Sequence, residues 1–121
     1  RYAPMAVKDV PECVAVYKAW MRERASAHHD AVYRGMLADS FRCLSVCLGD
    51  YKKLGLTARV VKVGGAIRGF TVGFPLSRDT FCVLFEVADH AFKGLSQFIF
   101  QRFCQELTRY AWINIMDDSG L

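Results

Sequence analysis

At Thr57 the hydrophobic period of this chain changes, and the change limits the folds open to it. Upstream, apolar residues recur at three- and four-residue steps, the spacing of a helix face. Downstream, β-branched runs alternate with tight-turn signals. Thr57–Val63 reads as a strand, Gly64-Gly65 as a two-residue hairpin turn, and 66–74 as the partner strand. Pro75 ends that partner, and Ser77, Arg78 and Asp79 turn the chain into a third strand, 80–87. Three strands joined by tight turns make an antiparallel meander. Since the third is apolar on both faces, it is expected at the centre of a covered sheet.

The upstream segments supply the cover. Residues 1–7 are an extended lead-in held by Pro4. Asp9, Val10, Pro11 and Glu12 then start a helix: a capping carboxylate, a proline in the first turn and a second acid where the helix dipole favours it. Val10, Cys13, Val14, Tyr17, Trp20 and Met21 form its buried stripe to about residue 25, and Lys18, Arg22, Glu23 and Arg24 its solvated face. Asp30 caps a second helix, running to about residue 53 with Gly55 as its stop. Its stripe is Val32, Tyr33, Met36, Leu37, Ser40, Phe41, Leu44, Cys47 and Leu48.

After the third strand comes a short basic loop containing Gly94, then a helix with Leu95, Phe98, Ile99, Phe103 and Leu107 on its apolar face. Phe100, Cys104 and Tyr110 broaden that face, and Tyr110 and Trp112 are read as core. Residues 112–116 form a last strand, parallel to the third through a right-handed crossover. The layout is α+β, with a mainly antiparallel sheet flanked by helices.

Composition decides between ligand classes. Sixteen basic and twelve acidic residues give a net charge of +4. That balance favours anionic small molecules and falls short of the basic stripe of a nucleic-acid binder, so no nucleic-acid partner is expected. The five cysteines sit mostly within apolar periodic segments and read as reduced core thiols. Cys43 and Cys47 share a helical face, but no other Cys or His spacing completes a metal set, and His28 and His29 are expected to be exposed. No metal is expected. With no apolar run near the ~20 residues that span a bilayer, and no secretory leader, the chain is expected to be soluble and cytoplasmic.

The segment 80–97 carries the candidate chemistry. A strand, a glycine loop and a helix start in that order can hold an anion, because the first helix amides lack partners and the dipole favours negative charge there. Gly94 would allow close backbone approach, Ser96 and Gln97 would add donors, and Lys93 a point charge. Near the end of the strand, Glu86 stands among apolar residues.

The order of these elements resembles the GCN5-related N-acetyltransferase (GNAT) fold. More narrowly, residues 54–56, 64–73, 85–88, 94–97 and 114–121 look like successive motifs of the DUF2156 family, related to the C-terminal domain of phosphatidylglycerol lysyltransferases. The resemblance covers the chain from about Pro4 to Leu121. It implies acyl or aminoacyl transfer from acyl-CoA or a related donor to an amine. Carried over residue by residue, it makes Phe92, Lys93, Gly94, Leu95, Ser96 and Gln97 the pyrophosphate loop, and places the pantetheine arm along Glu86, Val87 and Ala88. Glu86, its pKa raised by apolar surroundings, would be the base that takes the amine proton. Asn114, Asp117 and Asp118 would hold the acceptor. Two family charges are replaced, by Val87 and by Ile115 or Met116.

The same resemblance implies a single GNAT-like domain over residues 1–121. It would be the second of two tandem halves, packed against another such half or a second subunit, and shortened where a further helix and hairpin would follow. The expected function is N-acyl transfer to an amine-bearing acceptor. The alternative is a non-catalytic GNAT-like module that binds a nucleotide-containing ligand or a partner domain.

Overall fold

A computed structural model describes residues 1–27 and 31–115. The strands are β1 (Tyr2–Pro4), β2 (Thr57–Val63), β3 (Ala66–Pro75), β4 (Thr80–Ala88) and β5 (Trp112–Ile115); the helices are α1 (Val10–Ala27), α2 (Ala31–Gly49) and α3 (Leu95–Glu106). The five strands form one sheet in chain order, antiparallel except for the β4–β5 pair. The expected meander and the parallel crossover through α3 are both present.

Three details differ from the sequence reading. The lead-in is itself a strand, with Tyr2 to Pro4 opposite Val61 to Arg59. Asp9 sits in a 3-10 turn and is buried; its carboxylate accepts a hydrogen bond from Ala6 N at 2.9 Å and lies 3.6 Å from Lys62 Nζ. The second helix stops at Gly49, where residues 50–55 turn the chain. Asp30, its expected cap, lies outside the described residues, as do His28 and His29.

The sheet has a helix layer on each face. On one, Cys13, Tyr17, Leu44, Leu48, Phe70, Val72 and Val87 close a core between α1, α2 and the sheet, with Tyr17 edge-on to Phe85 at 6.1 Å between centroids. On the other, α3 buries Leu95, Ile99 and Phe103, the last edge-on to Phe81 at 5.5 Å. A fully buried phenylalanine such as Phe103 contributes about 2–3 kcal/mol through burial alone.

Several expected core positions are exposed. Val32 and Met36, in the first half of α2, face solvent at 70% and 49%. Trp112 is 67% exposed on β5, and Phe98 is 39% exposed on α3. All five cysteines are thiols; Cys13 and Cys82 are buried, but Cys43 lies on the solvent side of α2.

One irregularity in β4 orients the site. Val72 pairs with Phe85 and Gly73 with Val83, so Leu84 is an extra residue in β4. A bulge of this kind switches which side chains face which layer. Before it, Phe81 and Val83 face α3; after it, Phe85 and Val87 face the α1–α2 core. Glu86 and Ala88 therefore turn toward α3.

Candidate active site

The groove that results lies at the C-terminal end of β4. It has a volume of about 310 Å³ and takes walls from three elements. Glu86 and Ala88 come from β4, Lys93, Gly94 and Ser96 from the α3 start, and Trp20 and Arg24 from α1. The paired part of β4 and β5 runs from Thr80↔Trp112 to Val83↔Ile115 among the described residues.

The loop takes its shape from Gly94. Its φ of +78° is left-handed, a conformation costing an L side chain about 1–2 kcal/mol, and no atom lies within 4 Å of where a Cβ would point. Leu95 N donates to Phe92 O at 3.2 Å, and Phe98 N makes the first full helical bond, to Gly94 O at 2.9 Å. The Ser96 and Gln97 amides stand ahead of that bond, at the positive end of the helix dipole. Asp89 steadies the preceding turn, accepting from Ala91 N at 2.9 Å and lying 3.7 Å from Arg68 Nη1.

Ser96 Oγ donates to Glu86 Oε2 at 3.2 Å, which joins the helix start to the strand. The Glu86 carboxylate is also close enough to raise the Cys104 thiol pKa, after burial as the larger cause. The groove thus places one carboxylate beside a serine hydroxyl, helix-start amides and a lysine. Such a set can take a proton at one end and hold an anion at the other.

Of the residues expected at the site, Glu86, Ala88, Phe92, Lys93, Gly94 and Ser96 come together. Val87 and Leu95 point into the two cores on either side of the sheet and do not line the groove. Gln97 lies on the exposed side of the first turn of α3 and does not line the groove; Asn114 sits opposite Cys82 on β5, also outside it. Asp117 and Asp118 are outside the described residues. The sequence reading missed the α1 wall. Trp20 does pack against the α1–α2 core as its stripe position implies, and at the groove edge the Arg24 guanidinium of the polar face lies 4.6 Å from its ring centroid. His90 also lines the groove, and no sequence signal marks it.

Among the described residues there is no group of three or more metal-ligating side chains, and no helix is long and apolar enough to cross a membrane.

This sheet, with a strand–glycine loop–helix unit at its bulged strand, is the fold of the GCN5-related N-acetyltransferases. The chain matches the GCN5-related N-acetyltransferase from Ralstonia eutropha JMP134 with a TM-score of 0.67 at 19% identity, covering 99% of this chain and 85% of that one. It matches the PaiA N-acetyltransferase from Thermoplasma acidophilum, solved in complex with coenzyme A, with a TM-score of 0.67 at 9% identity over 90% and 72% of the two chains. Within that fold, the chain belongs to the phosphatidylglycerol lysyltransferase C-terminal family, which it matches over residues 1–118. A conserved protein of unknown function from Bacteroides thetaiotaomicron VPI-5482 superposes with a TM-score of 0.81 at 27% identity. All of this chain is covered there, but it spans only 40% of that protein's length. No curated protein matches.

Proposed function

We propose that this chain is an N-acyltransferase domain whose groove binds the phosphate-bearing arm of an acyl-CoA, or of a related aminoacyl donor, and delivers its carbonyl to an amine beside Glu86. The observation that carries this reading is the Ser96–Glu86 hydrogen bond, which fixes a carboxylate next to the amides and lysine of the α3 start. Coenzyme A in the PaiA structure, on the same fold, supports the donor class. In the reaction the amine nitrogen attacks the thioester carbonyl, the C–N bond forms, and the C–S bond breaks with its electron pair leaving on sulfur. Glu86 accepts the amine proton, directly or through a water. Backbone N–H groups of β4 near the Leu84 bulge are suited to the oxygen that gains negative charge. The domain is read as the second of two tandem halves, working in the cytoplasm against a partner half or a second subunit.

Thermal-shift titration with acetyl-CoA and longer acyl-CoAs tests this reading. A ligand held at about a hundred times its Kd should add about 2.7 kcal/mol, and Gly94→Glu should abolish the shift. No shift with any CoA ester overturns the reading. A shift without turnover on any amine favours the non-catalytic module.

A further inference from the structure

The strand directions gather a second set of side chains at the end of the sheet opposite the groove. Because every pair but the last is antiparallel, β1 and β3 finish at that end, and β2, β4 and β5 begin there. Four large apolar side chains stand more than half exposed at it: Val7 just past β1, Leu54 just before β2, Leu76 just past β3 and Trp112 at the start of β5. Five strands spaced about 4.8 Å apart set Val7 and Trp112 roughly 20 Å from each other, so these groups form a row and not one patch.

Charge divides along the same axis. Beside the apolar row lie Lys52, Lys53, Arg78 and Arg109, against the carboxylates of Asp50 and Asp79. Asp79 is occupied by the Ser77 and Thr80 hydroxyls, and neither lysine nor Arg78 makes an ion pair among the described residues. Val7 and the two lysines border a hollow of about 170 Å³ floored by Leu48 and Tyr51. Around the groove and the adjoining face of α1 the balance reverses, with Glu12, Glu23, Glu86 and Asp89 against Arg24, Arg68 and Lys93.

A protein partner favours a continuous apolar centre inside a polar rim. A row of separate apolar tips among unpaired cations suits a bilayer interface instead. There each tip enters between headgroups, an indole rests at the boundary of the acyl chains, and lysines meet lipid phosphates.

We propose that this end of the sheet docks on an anionic lipid surface, with Leu54, Leu76 and Trp112 entering the interface and Lys52, Lys53 and Arg78 holding headgroup phosphates. Thr80 and Glu86 lie six residues apart on β4, about 20 Å of extended strand, so the docked groove opens away from the headgroups. The lipid is a platform and not the acceptor, and the surface stands whether or not Glu86 takes a proton.

Vesicle flotation of the chain tests this, comparing pure phosphatidylcholine with mixtures holding about 30% phosphatidylserine or about 30% phosphatidylglycerol. Both anionic mixtures should bind at least about tenfold tighter than phosphatidylcholine, equally with each other, and lose that advantage at about 0.5 M salt. Lys52→Glu combined with Lys53→Glu should weaken binding at least about tenfold, and Leu76→Ser or Trp112→Ser at least about threefold. Val63→Ser, in the exposed hairpin at the opposite end, should change nothing. Circular dichroism checks that each variant is folded, and the double lysine variant decides the question alone if Trp112→Ser does not fold. Binding that is absent, equal on neutral and anionic vesicles, or unaffected in the double lysine variant overturns the proposal. Binding confined to phosphatidylglycerol overturns it in favour of a headgroup-specific site. A concentration-dependent dimer that Leu76→Ser dissolves overturns it in favour of a second copy of this chain.

Discussion

Ser96 Oγ donates a hydrogen bond to Glu86 Oε2 at 3.2 Å, so the first turn of α3 and the end of β4 hold the same carboxylate. The bond exists because Leu84 bulges: without the extra residue, Glu86 would face the α1–α2 layer. If Glu86 is the base, Glu86→Gln should lower kcat by about 10²–10⁴-fold with donor affinity unchanged, and Ser96→Ala should cost far less. Steady-state kinetics with a measured donor Kd decide it, and unchanged turnover in Glu86→Gln removes the residue from the mechanism.

The close approach of β3 to β4 at the bulge makes a stability prediction. A Cβ on Gly73 would sit 2.4 Å from Cys82 O and 2.5 Å from the Phe81 ring. Gly73→Ala should therefore cost about 1–3 kcal/mol in urea denaturation. Gly35, in α2 with no atom within 4 Å of its Cβ direction, is the contrast: Gly35→Ala should stabilise by about 0.5–1 kcal/mol.

The β3–β4 turn predicts a pH dependence. Asp79 Oδ1 accepts from Ser77 Oγ at 2.8 Å and Thr80 Oγ1 at 3.2 Å, which holds its carboxyl below the usual range. A folded pKa below the unfolded one gives stability that is complete above the ordinary carboxylate range and lost as pH falls through the folded value. The Tm difference between the wild type and Asp79→Asn should be full at about pH 6 and shrink toward about pH 2.5. A difference that stays constant across that span removes the linkage.

Thiol reactivity should follow burial. Burial pushes the Cys13 pKa up to about 12, with the charges of Asp9 and Glu12 adding to the effect, whereas Cys43 is exposed. Iodoacetamide at about pH 8 should label Cys43 first and leave Cys13 and Cys82 unmodified until the chain unfolds. Mass spectrometry of digested protein reads the order, and early labelling of Cys13 contradicts this packing.

Much of the layout was legible because period and turn chemistry agreed with each other. The meander, the crossover helix and the Lys93–Ser96 loop all followed from local signals that the tertiary structure keeps. The Leu84 bulge was hidden because Phe81 to Phe85 is apolar throughout, leaving no alternation for an extra residue to break. The strand at Tyr2–Pro4 is too short to show a period. Val32 and Met36 carry the helical spacing of a buried face, but periodicity does not say whether anything lies opposite. The same limit hid the α1 wall, since Trp20 and Arg24 acquire their place only when α1 crosses the strand ends.

Strand order equal to chain order has a kinetic consequence. The β2–β3–β4 ladder closes through tight turns and β5 joins through a single helix, so these contacts are local and should form early. The pairing of Ala3 with Val60 instead closes a loop that contains both remaining helices. Its chain entropy is lost in one step. That closure should be the slow event in folding, with destabilising substitutions in β1 chiefly accelerating unfolding and those in the β3–β4 ladder retarding folding.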